Sequence, residues 1–515
     1  MCRLCDPGRP ARPCPTSRPA SGASRRDFLK ASAVGAAGAA TLAGTGAALA
    51  QDASADPAAG LPQGIGEPGR RVVIRGGAVM SVDPDVGDFA TGDVLIEGDT
   101  IREVGASIDA GDAAVIDAAG RIVMPGFVDT HHHQFETALR SVLADGILIN
   151  DGREASKLNY YELILQTFSM HYRPEDVYIN ELFGGIAQLD AGVTTVMDVS
   201  QIHHSPEHSD AAIEGLRDAG RRGVFGYFEG WGDRAQYPQD AARIKEQWFS
   251  SQDQMLTMVM GGEIYLPGYE EAWRIGRELG LPIALHVVGT FGMLDTFDAL
   301  AAAGEFGDDN IFIHMTGMSD MAWQAAADAG AHVSLAVPIE MQMRHGTPPI
   351  QKALDLGMAP SLSTDVECTM TADFFTQMRS LVTLQRMFAN ESALGGATDF
   401  PELMASRDAI RHATIEGARG LKLDGVTGSL TPGKKADLIL LDAEALNVAP
   451  LNHAPGAVVT LMERSNVDAV MVNGEVRKWR GRLLGFDVPR LRAELTASRD
   501  HLFEKAGLEQ SIFRT

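Results

Sequence analysis

The sequence predicts an α/β fold: a (β/α)8 TIM barrel with a small β-sandwich domain built from both ends of the chain. In the middle of the chain, short apolar strands alternate with amphipathic helical stretches, which is the pattern of βα units and a parallel sheet. Such units over roughly 300 residues fit a TIM barrel. Alternating strand segments on both sides of this middle region predict the smaller domain.

The barrel strands are predicted from short apolar runs that end in polar residues. They are predicted to begin at Ile122, Val193, Val224, Leu256, Ile283, Ile311, His332 and Met358. Amphipathic stretches such as Glu270–Leu279 and Met321–Ala329 lie between them. We therefore assign the barrel to residues 125–424, and in this fold active sites form at the carboxyl ends of the strands.

The flanking segments have the period-two alternation of half-buried strands, with Gly and Asp turns between them. They are Arg71–Arg75, Asp93–Glu97 and Ala114–Asp117 before the barrel, and Ala436–Asp442 and Val467–Glu475 after it. These segments predict a β-sandwich domain from residues 71–124 and 425–482. A C-terminal helical segment is predicted over residues 483–515.

An insertion of about forty residues, 134–174, separates the first barrel strand from the next helix, and loops of that length are usually functional lids or disordered. Its aromatic residues Tyr160, Tyr161, Phe168 and Tyr172 favour a packed lid. A segment that merely covers the barrel rim is the alternative.

The first fifty residues have the features of an export signal. Arg25 and Arg26 precede a weakly apolar, Ala/Gly-rich stretch that ends in Ala48-Leu49-Ala50, which looks like a twin-arginine signal. We expect a periplasmic or otherwise exported chain that starts near Gln51, with a flexible linker over residues 51–70. An uncleaved anchor is the alternative, but alanine and glycine make a poor spanning helix, so no stable membrane insertion is expected after cleavage.

Composition excludes some classes of partner. The formal net charge is −24, and the first fifty residues are basic, so the remaining body is strongly acidic. This argues against nucleic acid or an anionic membrane as a partner. Three of the four cysteines lie in the leader, so the mature chain keeps only Cys368 and forms no internal disulfide. A homo-oligomer is compatible with the sequence.

Two histidines at alternate positions follow the first barrel strand. In the segment from Pro125 to His133, His131 and His133 point to one face of a strand and can share one cation, while His132 points away. A surface histidine cluster is the alternative reading of this short motif. Three more polar residues follow predicted strands of the same barrel: His286, His314 and Asp365.

With these residues the sequence resembles the amidohydrolase superfamily, in particular its cytosine-deaminase-like and chlorohydrolase-like branch. The resemblance rests on the segment Pro125–His133 and on the later segment Gly428–Leu438, which looks like the family's return into its small β-sandwich. It implies that one divalent metal ion is held by His131, His133, His286 and Asp365. The resemblance favours Zn²⁺, although the ligand types also suit iron(II). It further implies that Asp365 and His314 are catalytic.

One position departs from the family pattern. Deaminases of this branch carry a glutamate three residues after the strand-five histidine, where it moves protons, and this chain has Gly289 there. Candidate substitutes that would contact the substrate are Glu263, Glu340 and His345, and a polar cluster after the second strand adds His203. Each of them is equally compatible with a place at the barrel rim or in the core.

The resemblance implies a metal-dependent hydrolase that attacks a C–N bond other than a peptide bond in a small aromatic or heterocyclic molecule. The glycine at position 289 leaves an amide, lactam or ester-like bond as an alternative. A more distant alternative is a non-catalytic, metal-bound periplasmic binding protein on the same barrel. In each case the expected partner is a small molecule.

Overall fold

The computed structural model of this chain describes residues 56–251 and 253–513. The predicted export signal and the first part of the predicted linker therefore lie outside the described residues. Within the rest of that linker, Leu61 and Ile65 pack against the core of the sheet domain. The Trp479 indole also donates a hydrogen bond to the Ala59 carbonyl at 3.2 Å, so this part of the chain lies on the domain.

The sheet domain is built from both ends of the chain, as predicted. Its strands before the barrel are β1 (Arg71–Met80), β2 (Asp88–Glu97), β3 (Thr100–Gly105), β4 (Ala114–Asp117) and β5 (Arg121–Pro125). Both faces of β1 and β2 are covered: Val72, Ile74, Val94 and Ile96 lie in the domain's main apolar core, whereas Val73 and Leu95 on the opposite face lie in a smaller apolar cluster.

Eight parallel strands of the described chain form the barrel sheet. They are β6 (Phe127–His132), β7 (Val193–Ser200), β8 (Arg222–Tyr227), β9 (Leu256–Gly261), β10 (Ile283–Val288), β11 (Asn310–Thr316), β12 (His332–Leu335) and β13 (Ser361–Leu362). They are paired in chain order, and a parallel bridge between His132 and Asp365 joins the last strand's end to the first strand. This arrangement confirms the predicted TIM barrel.

After the barrel the chain returns to the sheet domain through β14 (Leu438–Asp442), β15 (Val467–Val472), β16 (Glu475–Trp479) and β17 (Arg482–Leu483). Strand β14 pairs antiparallel with β5, which joins the two halves into one mixed sheet of nine strands in the described chain. Residues from both halves share one apolar core, for example Val72, Val94, Leu438 and Met471.

Helices cover the outside of the barrel and connect its strands. Those between strands β6 and β13 are α1 (Pro174–Asp190), α2 (Pro206–Asp218), α3 (Ala241–Trp248), α4 (Tyr269–Glu278), α5 (Leu294–Ala303), α6 (Asp320–Asp328), α7 (Val337–Gln342) and α8 (Ile350–Asp355). Those that follow are α9 (Phe374–Leu394), α10 (Ser406–His412), α11 (Ile415–Gly420), α12 (Ala454–Thr460) and α13 (Val488–Ala506). Among the described residues, none of the helices is both long and apolar enough to span a bilayer.

The insertion after β6 is packed rather than extended. It contains 3₁₀ turns at Gln134–Leu139, Glu154–Ser156 and Ser169–His171, and one π-helical turn at Tyr161–Phe168. Tyr160, Phe168 and Tyr172 are buried, while Tyr161 is partly exposed. The Tyr172 hydroxyl donates to the Phe135 carbonyl at 2.6 Å, and the Phe168 ring packs against Phe503 of α13.

Two barrel strands begin later than predicted. Residues 121–125 belong to the sheet domain, because their backbone pairs with β14 and β1, and the first barrel strand begins only at Phe127. Gly126 separates the two strands. A Cβ atom there would lie 2.2 Å from the Thr194 side chain, so only glycine fits where the chain passes between the sheets. The last barrel strand begins at Ser361 rather than Met358.

Replacement of Gly126 by alanine tests this crossing. We expect Gly126→Ala to lower the free energy of unfolding by about 1–3 kcal/mol, because the added methyl group overlaps the Thr194 side chain. Gly425→Ala is the matched control, since no atom lies within 4 Å of a Cβ at that position. Urea unfolding followed by circular dichroism measures both, and equal midpoints would contradict the assigned crossing.

Candidate metal centre

His131 lies near the end of β6 and His133 directly follows the strand, and their side chains face the same way, as the strand alternation predicts. The Nε2 atoms of His131 and His133 lie 2.9 Å apart, and the His286 Nε2 atom on β10 lies 3.1 Å from that of His131. Nitrogen ligands around a tetrahedral zinc ion are separated by about 3.3 Å, given Zn–N bonds of about 2.0 Å. Three imidazole nitrogens therefore converge at nearly the spacing that one cation requires.

Asp365 completes this group from the segment that follows β13. Its Oδ1 atom lies 3.4 Å from His133 Nε2 and 3.7 Å from His131 Nε2. The backbone of Asp365 is left-handed, with φ of 61°, a conformation that non-glycine residues adopt at a cost. The His133 amide donates to the Asp365 carbonyl at 2.9 Å, and the Asp365 amide donates to the His131 carbonyl at 3.0 Å. These bonds place the carboxylate against the two histidines.

His314 lies on the other side of Asp365. Its Nε2 atom is 3.5 Å from Asp365 Oδ2. Its ring packs edge-to-face against the ring of His131, with the ring centres 5.4 Å apart. The residue lies inside β11 rather than at its end, and its left-handed φ of 70° turns the side chain toward the centre. The structure thus brings together all five residues of the predicted centre.

Glu263 and Glu340 lie behind histidines of the centre, not in the pocket wall. The Glu263 carboxylate is 2.5 Å from His286 Nδ1 and also accepts a hydrogen bond from the His286 backbone amide. Glu340 Oε1 is 3.2 Å from His314 Nδ1 and accepts from the Ala336 amide at 2.9 Å. Both carboxylates therefore orient an imidazole so that its Nε2 atom faces inward.

His203 and His345 differ in their relation to the pocket. His203 packs between the rings of Phe225 and Tyr227, and its Nδ1 atom is 3.1 Å from Ser209 Oγ. These contacts place the His203 ring in the apolar interior, so it is not among the residues that line the pocket. His345, in contrast, lines the pocket, with its ring 4.6 Å from that of His314.

Gly289 begins a short 3₁₀ turn directly after β10. A Cβ atom at this position would lie 3.1 Å from the Gly317 carbonyl oxygen and 3.2 Å from the Thr316 carbonyl oxygen. The loop that follows β10 is thus in close backbone contact with the end of β11. A larger residue there would push the two loops apart.

The electrostatics of the four predicted ligands fit a divalent cation. Burial, followed by the neighbouring imidazoles, lowers the pKa of His131 and of His133 well below the usual value, so both rings are neutral and have a free lone pair. Burial also lowers the pKa of His286, but Glu263 and Asp365 outweigh it and raise the pKa overall. Burial raises the pKa of Asp365 to about 7. The neutral rings of His131 and His133, the His286 ring oriented by Glu263, and the buried Asp365 carboxylate form a donor set that a divalent metal would stabilise.

The pocket in front of these residues is mostly apolar. It encloses about 480 Å³ of empty space including its open mouth, and none of its lining residues is a lysine or an arginine in the described chain. The lining consists of His133, Leu148, Tyr160, Leu165, Gln201, Tyr265, His286, Val288, Phe291, Met293, His314, Met343, His345, Asp365 and Val366. Such a wall suits a small, uncharged molecule with substantial apolar surface.

Sequence reasoning missed some of the polar groups around the pocket. Tyr265 lines the wall and donates a hydrogen bond to the buried carboxylate of Glu229, which follows β8 by two residues. Gln201 lines the wall directly after β7. Both residues could have been found from their position, because polar residues just beyond barrel strands lie at the end of the barrel where the pocket opens.

A cluster of histidines and an aspartate at the carboxyl ends of TIM-barrel strands defines a metal-dependent hydrolase. The chain belongs to the amidohydrolase family, whose sequence model matches residues 122–477. The match spans the barrel and most of the return into the sheet domain, and it confirms the resemblance seen in the sequence.

Known proteins of this kind resemble the chain over most of its length. It is 25% identical to the 5'-deoxyadenosine deaminase of Methanosarcina mazei, over 84% of this chain and 98% of that protein. It is 28% identical to the 5-methylthioadenosine/S-adenosylhomocysteine deaminase of Pelotomaculum thermopropionicum, over 82% of this chain and 96% of that protein.

Two solved structures share the fold. One is a zinc-bound adenosine deaminase from Xanthomonas campestris, with a TM-score of 0.70, 21% identity, and coverage of 85% of this chain and 99% of that one. The other is a zinc complex of an atrazine chlorohydrolase from Arthrobacter aurescens, with a TM-score of 0.71, 20% identity, and coverage of 83% and 100%.

The two carboxylates behind the histidines give a test of the ligand set. We expect Glu263→Ala to weaken zinc binding by about 10–100-fold, because His286 loses the partner that orients its ring. Glu340→Ala, the matched variant, should leave zinc affinity near the wild-type value, since His314 is not among the four predicted ligands. Competition with a chromogenic chelator measures both. An equal loss in the two variants would contradict this ligand set.

Proposed function

We propose that this chain is a hydrolase that uses a divalent metal ion to cleave a C–N bond, other than a peptide bond, in a small and uncharged aromatic or heterocyclic molecule. The convergence of His131, His133 and the partly buried His286 in one group, and of His131, His314 and Asp365 in a second group that shares His131, carries this proposal. The apolar pocket beside the cluster and the deaminase names of the relatives support it.

His131, His133, His286 and Asp365 would hold the ion. A bound divalent metal lowers the pKa of water to about 7 and so supplies hydroxide near neutral pH. We propose Zn²⁺ as this ion, a choice that the zinc in the two structural neighbours supports and that imidazole and carboxylate ligands suit.

The residues of the chain would handle protons and orientation. Asp365 lies between the ligand histidines and His314, so its carboxylate can accept the proton of the attacking water and return it to the leaving group. His314 is fixed by Glu340 and presents Nε2 to the pocket. Burial raises the pKa of Glu340 well above its usual value, so a protonated Glu340 donates to Nδ1 and leaves the N–H on Nε2. From there His314 can donate a hydrogen bond to the substrate atom on which negative charge develops.

Hydrolysis of an amide, lactam or ester-like bond is the second candidate. Gly289 favours it, because that position has no side chain to carry a proton to a ring nitrogen. A tetrahedral intermediate at an acyl carbon needs stabilisation of its oxygen, which a donor such as His314 supplies. The distant alternative, a metal-bound binding protein, predicts metal binding without turnover.

Metal removal and substitution at the centre test the proposal. We expect chelator-treated protein to lose hydrolysis of ring amines, amides or lactams, and added Zn²⁺ to restore it. Asp365→Asn should lower kcat by about 10²–10⁴-fold, since it removes the proton acceptor. Released ammonia or amine and the metal content are measured together.

His453→Ala is the control for that experiment, because His453 is exposed and lies within residues 425–482, which were assigned to the sheet domain. It should retain both metal and turnover. If His131→Ala loses the metal and hydrolysis continues unchanged, the proposed mechanism is wrong. If metal-loaded wild-type protein binds small molecules from the panel and hydrolyses none of them, the binding-protein alternative is favoured.

We also propose that the chain is exported through the twin-arginine signal at Arg25 and Arg26. Replacement of both by lysine should keep the unprocessed chain in the cytoplasm, since lysine retains the charge and removes the arginine pair. Cell fractionation and immunoblotting measure this. Arg18→Lys serves as the control, and export of the double variant at the wild-type level would disprove the proposal.

A further inference from the structure

His345 is unusual among the buried histidines of the described chain. Its side chain is only 4% exposed and lines the pocket, and neither of its ring nitrogens has a hydrogen-bond partner. Other buried histidines outside the metal cluster have at least one such partner, for example His203 with Ser209 and His412 with the Pro360 carbonyl. A histidine that served only for packing would be expected to satisfy at least one nitrogen.

The backbone around His345 is held in a fixed and uncommon conformation. Arg344 has a left-handed φ of 61°, and Gly346 has a φ of 141°. The Thr316 hydroxyl donates to the His345 carbonyl at 3.0 Å, and the Thr290 hydroxyl donates to the Arg344 carbonyl at 3.2 Å. Both anchors bind main-chain oxygens, so the segment is tied down while the imidazole remains free to face the pocket.

These anchors also place His345 next to Gly289. Thr290 is the residue after Gly289, and Thr316 is the residue whose carbonyl a Cβ at Gly289 would approach. The segment between α7 and α8 therefore contacts the loop after β10 at the point where a glutamate is absent. The His345 ring is also 4.6 Å from that of His314, whose Nε2 atom faces the metal centre.

The chemical state of His345 suits a hydrogen bond to a neutral ligand. Burial, followed by His286, lowers its pKa to about 3, so the ring is uncharged. A neutral imidazole has one N–H donor and one nitrogen acceptor. An amide or lactam group has the same pair of functions, an acceptor oxygen and an N–H donor, whereas a carboxylate has acceptors alone.

We propose that His345 is a substrate-binding residue that supplies, from the segment between α7 and α8, the hydrogen-bonding group that Gly289 does not provide. The ligand it takes is an uncharged, largely apolar molecule that carries an amide-like polar group. This inference rests on the proposed function for the reaction but concerns binding in the pocket. It therefore has a test that does not depend on turnover.

Benzamide is a suitable probe, because it is neutral and aromatic and carries one amide. We expect calorimetry to detect benzamide binding to the zinc-loaded protein, and His345→Ala to weaken that binding by about tenfold, the effect of one lost hydrogen bond. His345→Gln should stay within about threefold of wild type, because its amide retains a donor and an acceptor. The control Met341→Ala, with an exposed side chain on α7, should bind as wild type does.

A spectroscopic measurement separates contact with the probe from a structural effect. In ¹⁵N-histidine-labelled wild-type protein, the ring nitrogen signals of His345 should move on addition of benzamide, with zinc content and melting temperature unchanged. Immobile signals, equal affinity in wild type and His345→Ala, or an absence of benzamide binding to the wild type would overturn the proposal. Hydrolysis is assayed separately: if metal-loaded protein hydrolyses nothing, the proposed function fails, and the benzamide result still decides the role of His345.

Discussion

Closure of the barrel between its first and last strands is the constraint on which the metal centre depends. The reciprocal backbone bonds between Asp365 and the pair His131 and His133 exist only when β13 has docked beside β6. Behind them, the buried Asp129 carboxylate accepts hydrogen bonds from the Thr364 amide at 3.1 Å and from the Gln188 side chain at 2.7 Å. The ligands come from distant parts of the chain, so the centre forms as a consequence of folding and does not precede it.

The buried carboxylates around the centre make the site selective for a cation. Glu263 and Glu340 each lie against the Nδ1 atom of a histidine, and Asp365 lies among the Nε2 atoms. Burial raises the pKa of Asp365 and of Glu340, because the ionised carboxylates are poorly solvated there. A bound cation would stabilise their ionised forms. The same low dielectric that makes these groups costly also strengthens their attraction for a divalent ion.

Periodicity was enough to predict the barrel and the sheet domain, and strand-end position drew attention to the five central residues, whose roles as ligands and catalytic groups came from the family resemblance. They failed at the start of the first strand, because the apolar run from Ile122 continues through Gly126 although its two halves join different sheets. They also failed to separate carboxylates that face a substrate from those that support a histidine. Glu263 follows its strand as a catalytic acid would, and only the 2.5 Å contact with His286 reveals its role.

Gly289 and the imidazole of His345, which has no hydrogen-bond partner, belong to two loops that are in contact with each other. The absence of a side chain at Gly289 lets its loop approach Gly317 closely, and this approach positions Thr290 and Thr316 to hold the main chain of residues 344–345. The neutral His345 ring lines the pocket, and its main chain is bound to the loop of Gly289, the position at which the family resemblance implies a glutamate. An imidazole that stays uncharged pairs well with an amide but cannot offer a negative charge to a protonated ring nitrogen. This feature is the observation that keeps hydrolysis of an amide or lactam as the second candidate beside the proposed cleavage of a C–N bond in a heterocycle.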